Sequence, residues 1–466
     1  TIRTSFINPH LIAPGTVTKE ILRTNSDTAT LTHSDLLIES TAIMNMDLVK
    51  SADSVQIVST ANFAPAGMSK YGTDVGKAIG NFQSAGSNAF FQAATAQLVS
   101  IEDTGALDQA YNALAGTSIQ AVPQVSYQAV SRSIDSFTQR MNEWRLGSDE
   151  SGMSRTASTK NRAYASARQT MTDAGQPGLL PGGRSGPWIS FFQSSVYSNA
   201  LTDRIVGGTR GYEFESDARD TVGGLGITLS QSGYSYNSAP TPITPGNTQN
   251  FGLSFYGNTK IDDGYVSATA YIGGGNTNFT RQIQTLGFNT SDNVNIKNYT
   301  AAGRFETGYS FMPFKREDSF MKLTPFVAVQ PTYIYQPGTT ENISGYGSGF
   351  NYSANQNVAV PVFVGTEFSG THKFDSGLTM NPFLRVSWMA ETQNKGTMGS
   401  SYGAGQGVSV YFNGSPNLGN AMIYNAGATF GMGKHTSGYV SLDYDYGNQT
   451  YGYRAFGTSF GVKYAF

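Results

Sequence analysis

From Trp188 to its last residue, the chain alternates apolar side chains with small or ionisable ones at a period of two. In the final stretch, FGTSFGVKYAF, one face carries large apolar side chains: Phe460, Val462, Tyr464 and Phe466. The other face carries small or charged ones: Gly457, Ser459, Gly461 and Lys463. Because successive side chains of a strand point to opposite faces, this period predicts extended strands. The C-terminal region is therefore predicted to be all-β.

The polar face of these strands carries ionisable residues in mid-strand, opposite a continuous apolar face. The stretches NYTAAGRFETGYSF, NVAVPVFVGTEF, LTMNPFLRVSW and YVSLDYDYG all show this division. The ionisable residues, including that of the last strand, are Arg304, Glu306, Glu367, Arg385, Asp443, Asp445 and Lys463. In a soluble sandwich such a face would simply meet solvent. In a membrane barrel the apolar face meets lipid, and these charges line the lumen.

The spacing of the strands favours the barrel. Strand starts are predicted near residues 188, 221, 232, 249, 264, 296, 320, 357, 377, 421, 437 and 451. Short connections are predicted at TKIDDG, FKREDS, HKFDSG and GKHTSG, and long polar ones at 198–219, 276–292, 337–353 and 392–416. Strands of about ten residues, an even strand number and alternating connection lengths are typical of bacterial outer-membrane barrels, which close so that no backbone group is unpaired in lipid. We predict an antiparallel barrel of about twelve strands over residues 188–466.

The composition argues against several other classes of protein. Charged residues make up 13% of the chain and the net charge is −2, so there is no basic surplus for binding nucleic acid. No run of about 18 apolar residues occurs, so neither a transmembrane helix nor a signal peptide is predicted within the sequence. The absence of cysteine excludes disulfides and thiolate metal sites. Because the sequence opens at TIRTSF, we expect a processed or truncated product.

Three segments of different amino-acid composition precede the barrel. Residues 1–62 consist of short runs rich in Thr, Ser, Val and Ile, and they are predicted to be β-solenoid-like. Residues 63–146 are rich in Ala and Gln and are predicted to be helical. Residues 147–187 are rich in Gly, Ser, Arg and Pro, which predicts a linker leading into the first barrel strand.

A helix at residues 124–145 is the candidate for filling the lumen of the barrel. Pro123 suits the first turn of a helix, and Gly147 suits the position just after the last turn. A single narrow apolar seam runs along this helix through Val130, Ile134, Phe137, Met141 and Trp144. About twenty residues of helix span the ~30 Å hydrocarbon thickness of a bilayer.

The cations of this helix are Arg132, Arg140 and Arg145, and inside a barrel they would meet the lumen carboxylates. Two alternatives remain open. In the first, the helix packs on the helical region of residues 66–122 instead of entering the barrel. In the second, the basic segment 155–172, which is nearer the barrel, fills the pore.

One catalytic pattern occurs, but its context argues against catalysis. Residues 457–461, GTSFG, match the G-x-S-x-G pattern, in which the serine occupies a turn from a strand into a helix. Here the chain continues as a strand, and Ser459 lies roughly 23 Å from the chain end at about 3.3 Å per residue. This is too far for a hydrogen bond with His435 in the GKHTSG turn. Asp262 and Asp263 are predicted to form a turn, so we predict no catalytic site, no metal site and no cofactor.

The terminal strand, with Phe460, Val462, Tyr464 and Phe466, resembles the C-terminal signal by which the barrel-assembly machinery recognises outer-membrane proteins. The order of the segments along the chain resembles that in the autotransporters of type V secretion, in which a passenger leads into a helix and then into a translocator barrel. The stretches that carry this resemblance are DLVKSADSVQIVSTANFAPAG, QRMNEWR, PWISFFQSS and the closing strands. QRMNEWR resembles the basic helix that precedes the barrel in that family.

The resemblance implies an outer-membrane translocator that brings its own N-terminal passenger to the cell surface. Its implied partners are outer-membrane lipids, the barrel-assembly machinery, periplasmic chaperones and the passenger itself. Two alternatives are a porin or channel with an N-terminal extension, and a surface adhesin whose long loops bind a target. A porin has no use for a solenoid and a helix ahead of its first strand, which favours the translocator.

Overall fold

The computed structural model contains a small sheet and four helices, followed by a large β-barrel. It describes residues 8–23, 38–51, 53–85, 89–115, 119, 121–155, 185–198, 201–216, 220–236, 244–285, 288–315, 319–341, 350–395, 397–402, 409–413, 419–432, 435–447 and 452–465. Within these residues, no helix combines the length and the hydropathy needed to cross a membrane.

The described residues of the N-terminal part form a short 3-10 helix (Pro9–Leu11), three strands and four α-helices. The strands are β1 (Gly15–Arg23), β2 (Met44–Lys50) and β3 (Ser54–Ala61). The helices are α1 (Lys70–Ala85), α2 (Ala89–Leu98), α3 (Thr104–Ala115) and α4 (Ala121–Arg155). The three strands form an antiparallel sheet in the order β1-β3-β2. Successive strands of a β-solenoid run parallel, so this pairing differs from the solenoid-like arrangement expected for residues 1–62.

The C-terminal part consists of strands. Those of its first half are β4 (Gly186–Tyr197), β5 (Leu201–Ser216), β6 (Thr221–Tyr236), β7 (Thr244–Ile261), β8 (Gly264–Thr285), β9 (Phe288–Tyr309), β10 (Phe311–Lys315), β11 (Ser319–Val329) and β12 (Thr332–Gln336). Those of its second half are β13 (Thr339–Thr340), β14 (Phe350–Tyr352), β15 (Asn355–Lys373), β16 (Leu378–Lys395), β17 (Thr397–Tyr402), β18 (Ser409–Asn413), β19 (Ala421–Met432), β20 (Thr436–Gly447) and β21 (Arg454–Tyr464).

The barrel closes because the last strand, β21, pairs antiparallel with the first, β4. Strands β11 and β12 share one position between β9 and β15, and the short β10 is an extra strand paired only with β11. The ring therefore has 12 strand positions, which confirms the predicted barrel and its strand number. Within the described residues, each of the 12 strand positions therefore has a hydrogen-bonded neighbour on both sides.

Two of the individual strand predictions are wrong, and their errors cancel in the strand number. Residues 198–219, predicted to be a long connection, contain the 16-residue strand β5. Its outward face carries Arg204 and Arg210, so hydrophobicity does not alternate clearly along it. Conversely, the strand starts predicted at 221 and 232 both belong to β6.

The connections at one end of the barrel are more structured than predicted. Strands β8 and β9 run through most of the predicted loop 276–292. The predicted loops 337–353 and 392–416 contribute β13, β14, β17 and β18, which form a separate four-stranded sheet. Apolar side chains in these segments are few and do not form a continuous face, so a search for alternating hydrophobicity did not find their strands. We call this end the loop end.

The opposite end, the turn end, carries the short connections. The TKIDDG and HKFDSG segments are turns as predicted, with Asp262 at a φ of 54° and Gly377 at a φ of 82°. Ala465, the residue before the last, also lies at this end, where its backbone N–H donates to the carbonyl of His435 at 2.7 Å. Both the start of β4 and the end of β21 are therefore at the turn end.

Candidate functional site in the barrel lumen

Helix α4 lies inside the barrel. It packs against strands on most sides of the lumen: β4 to β9, β12, β15 and β19. From Ala121 to Leu146 its side chains are buried or half-buried around the whole circumference. The helix begins at the loop end, where Val122 and Val125 join an apolar cluster with Tyr236. Towards the turn end its polar side chains meet the barrel wall.

The helix differs from the predicted one at both ends. It starts three residues before the predicted 124 and continues through Gly147 to Arg155. Glycine inside a helix costs only about 1 kcal/mol relative to alanine, so it does not force a helix to end. The competing segment, 155–172, lies outside the described residues beyond Arg155.

The apolar seam of α4 packs on one wall of the lumen. Phe137 contacts Trp188 of β4 edge-to-face, with ring centroids 5.6 Å apart, and Tyr256 of β7 at 5.4 Å. Met141 belongs to the same cluster. Trp144 lies at the end of the seam, with the Lys260 ammonium 5.6 Å from its ring centroid.

A glycine of the barrel wall lies directly beside the apolar seam. A Cβ added to Gly226 of β6 would lie 2.6 Å from Cε1 of Phe137 and 3.1 Å from Cζ2 of Trp188. Real Cβ contacts are essentially never shorter than 3.0 Å, so the seam can approach this wall only because residue 226 has no side chain. Glycine is suited to such a close approach of a neighbouring group to the backbone.

The three predicted arginines of α4 each meet a carboxylate of the wall. Arg132 Nη2 donates to Asp445 Oδ2 at 2.8 Å. Arg140 Nε donates to Glu213 Oε2 at 2.8 Å, and its guanidinium also contacts Glu143 one helical turn ahead. Arg145 Nη2 lies 2.5 and 2.6 Å from the two carboxylate oxygens of Glu367. Breaking a buried pair of this kind is strongly destabilising, because the remaining charge then has neither a partner nor solvent.

The remaining predicted lumen charges form pairs within the wall. Glu306 Oε2 accepts from Arg304 Nη2 at 2.8 Å and from Arg385 Nη2 at 2.5 Å. Tyr265, which the sequence analysis did not single out, donates its hydroxyl to Glu306 Oε1 at 2.7 Å. Asp443 contacts the side-chain amide of Asn425.

Glu213 is a lumen carboxylate that sequence reasoning missed, because β5 was interpreted as a loop. Besides the contact with Arg140, Glu213 Oε2 lies 3.1 Å from Nζ of Lys463 in the last strand. Its inward position on β5 and its acidic side chain were the only signals that could have identified it. Glu213 thus joins the helix, the first hairpin and the last strand.

A polar crevice runs along the side of α4 opposite the apolar seam. The helix lines it with Ser131, Asp135, Thr138, Gln139 and Asn142. The polar side chains that line it from the wall include Arg304, Arg385, Asn425, Asp443 and Asp445, and the apolar ones are Phe363, Met389, Ala421 and Ile423. Within the part of the chain that the structure describes, Asp445 Oδ1 and Asn425 Oδ1 have no hydrogen-bond partner on the protein. Buried polar atoms of this kind are normally solvated by water.

The outer face of the barrel is apolar. In the last strand, Phe460 is 55% exposed, Val462 50% and Tyr464 49%. The rings of Phe460 and Phe191 lie 5.3 Å apart across the β21–β4 junction. Phe466, the fourth residue of the predicted assembly signal, lies outside the described residues. An apolar outer band with charges inside is the arrangement of a barrel that spans lipid.

The candidate nucleophile and metal ligands do not form a site. Ser459 is buried in the wall, where its hydroxyl lies 2.7 Å from that of Ser441. His435 is at the turn end, with Nδ1 2.9 Å from the carbonyl oxygen of Ala465. Across the described ranges of the chain, no group of three or more His, Asp or Glu side chains is arranged to hold a metal ion.

Comparison with protein families agrees with this geometry. The family described as "Autotransporter beta-domain" matches residues 188–445, which is more than half of the chain. The chain belongs to this autotransporter family. A search of curated proteins finds no match.

Among solved structures, the barrel is similar to those of three autotransporters. The β domain of the Bordetella autotransporter BrkA is 18% identical, with a TM-score of 0.43, and the match covers 61% of this chain and 100% of that one. The translocator domain of NalP from Neisseria meningitidis is 13% identical, with a TM-score of 0.43 and coverages of 67% and 98%. The transport unit of AIDA-I from Escherichia coli is 14% identical, with a TM-score of 0.40 and coverages of 65% and 97%.

Membership of the autotransporter family makes this chain an outer-membrane translocator that secretes its own passenger to the cell surface. The porin or channel alternative is not favoured. The residues before α4 leave the lumen at the loop end. Because the passenger of an autotransporter is at the surface, we expect the loop end to be extracellular and the turn end to be periplasmic.

Proposed function

We propose that α4 is the pore helix of this autotransporter and that it seals the lumen after the passenger has crossed. The residues to which we assign this role are Arg132, Phe137, Arg140, Met141, Trp144 and Arg145. The observation that carries the proposal is the continuous burial of α4 from Ala121 to Leu146 inside the barrel. Apolar packing holds one side of the helix, and charge pairs with the wall hold the others.

The length of the buried helix suits a seal. Residues 121–146 span roughly 38 Å at about 1.5 Å per residue. The hydrocarbon core of a bilayer is about 30 Å thick. The helix is therefore long enough to obstruct the lumen along the full depth of the membrane. Its polar surface, which would be costly in lipid, meets the polar inner face of the barrel instead.

Conductance in planar bilayers tests this proposal. The full chain and a chain lacking residues 1–120 should both conduct ions poorly, because α4 remains in place. The barrel alone, residues 186–466, should show a large and stable conductance. Heat-modifiable migration of each protein checks that its barrel is folded. Equal conductance of the full chain and the bare barrel would refute the seal.

We also propose that the terminal strand is the signal read by the barrel-assembly machinery after delivery by periplasmic chaperones. Before closure β21 is a free edge strand, and its outward face is a row of large apolar side chains: Phe460, Val462 and Tyr464, followed in sequence by Phe466. A strand edge of this kind is a template for pairing with another protein.

Substitution of this face tests the assembly signal. Replacing Tyr464 and Phe466 together by Ser should lower the amount of heat-modifiable barrel in the outer membrane severalfold. Ser459→Ala, on the inward face of the same strand, is the matched control. Undiminished insertion of the double variant would contradict the proposal. Ser459→Ala should also leave passenger display unchanged, because we propose that this chain translocates its passenger without catalysing a reaction.

A further inference from the structure

The extracellular mouth of the barrel is covered by helices α1 to α3, which we call the cap. The cap and the mouth share one buried apolar cluster instead of two separate cores. The cap contributes Val75, Ile79, Phe82, Phe91, Leu98, Leu107, Tyr111 and Leu114. The mouth contributes Leu201, Tyr234, Tyr236, Phe279, Val294 and Ile296. The apolar side chains at the strand ends are thus buried against the cap and not left in water.

A buried charge pair fixes the cap at a defined point of the mouth. Arg281 of β8 donates from Nη1 to the carbonyl oxygen of Leu114 at 3.1 Å. Its Nη2 lies 3.0 Å from Oε2 of Glu341, and the hydroxyl of Tyr352 donates to Glu341 Oε1 at 2.7 Å. Arg281 is 2% exposed and Glu341 is 1% exposed.

The contact between Arg281 and Leu114 is directed at a helix end. Leu114 is the second-last residue of α3, so its carbonyl is among the four that have no partner within the helix. The C-terminal end of a helix also carries partial negative charge, which favours a cation there. Arg281 therefore recognises the end of α3 specifically, whereas apolar packing alone would allow the cap to slide.

We propose that the barrel mouth is a binding surface for the cap, and that it retains the cap non-covalently as an extracellular lid. The covalent link through residues 116–120 is then not what keeps the cap in place. Cleavage of the chain between the cap and α4 leaves the cap on the barrel. Ile43, Met46 and Phe63, in and beside the N-terminal sheet, belong to the same apolar cluster. Release of a passenger therefore requires a cut on the N-terminal side of that sheet.

A cut placed between cap and pore helix tests the lid. A site for a specific protease is inserted between Ala115 and Ile119 of the full chain, and intact cells displaying it are digested and washed. The fragment of residues 1–115 should remain with the cells. Arg281→Ala and Glu341→Gln should each shorten its retention at least tenfold. Arg454→Ala, an exposed arginine at the extracellular end of β21, should leave retention unchanged.

Loss of the wild-type fragment in the first wash would overturn the proposal. Equal retention of the fragment by the wild type, Arg281→Ala and Glu341→Gln would also overturn it. Heat-modifiable migration shows whether each barrel has folded. If Arg281→Ala does not assemble, the wild-type digest and Glu341→Gln still decide. Because this experiment measures retention and not conductance, its failure would leave the pore-helix proposal standing.

Discussion

Arg140 has the most demanding environment of the arginines in the lumen. Its guanidinium contacts two buried carboxylates, those of Glu143 on its own helix and Glu213 on the wall. Lys463 contributes a second positive charge beside Glu213. Removing one partner from a buried charge pair costs about 3 to 5 kcal/mol, chiefly because the remaining charge is left unpaired.

Arg140→Ala should therefore loosen the helix in the barrel. We expect the variant to open to a high-conductance state at least tenfold more often than the wild type, because the lost pair held α4 to β5. Single-channel recording in planar bilayers measures this. Asp135→Asn is the control, since the Asp135 side chain is 38% exposed and its buried partner Arg132 keeps the closer contact with Asp445. Equal opening of the two variants would contradict the prediction.

Gly226 allows a second prediction at the residue scale. Gly226→Ala should weaken helix seating, because the added Cβ would collide with Phe137. Gly233→Ala in the same strand should have no effect, since a Cβ there meets nothing within 4 Å. Opening frequency is again the measurement. Phe137→Leu, which shortens the colliding side chain, should partly restore the low opening frequency in the Gly226→Ala variant. If it does not, the collision with Phe137 is not the cause of the weakened seating.

At the scale of elements, the sequence predicted strands whose outward face is uniformly apolar. In β20, Val440, Leu442 and Tyr444 point outward as expected, and Asp445 points inward. Strand β5 was missed because charged and glycine residues occur on both of its faces. Alternation of hydrophobicity is a signal only where the two faces meet different environments.

The two faces of α4 should differ in chemical reactivity. Ser131 lines the polar crevice, whereas Ser133 is buried and donates to the carbonyl of Ala129. In a chain without native cysteine, Ser131→Cys should react with a small water-soluble thiol reagent at least tenfold faster than Ser133→Cys. Mass spectrometry of the labelled protein gives the two rates. Equal rates would show that water does not reach the crevice.

For the whole molecule, the orientation in the membrane is directly testable. Asn420→Cys lies at the loop end and Asp375→Cys in a turn at the opposite end, and both positions are exposed. An impermeant thiol reagent added to intact cells should label Asn420→Cys only. Asp375→Cys should be labelled once the outer membrane is permeabilised. Labelling of Asp375→Cys alone in intact cells would reverse the assigned orientation.

The sequence could not predict the contact between the cap and the mouth. Leu114 and Arg281 are far apart in the chain, and neither lies in a pattern that names the other. The helical texture of residues 63–146 indicated helices, but not which surface would bury their apolar side chains. Such contacts depend on the closed barrel, which exists only as a tertiary structure.

Glu213 connects the order of synthesis to the seating of the helix. It lies in the second barrel strand, yet one of its partners, Lys463, is in the last strand. Its contact with Lys463 therefore requires the C-terminal strand to have arrived beside the first hairpin. If α4 reaches Glu213 before the last strand is in place, this carboxylate has Arg140 beside it but not yet Lys463. Glu213 thus has both of these positive charges beside it only when two conditions are met: the barrel has closed, and α4 occupies the lumen.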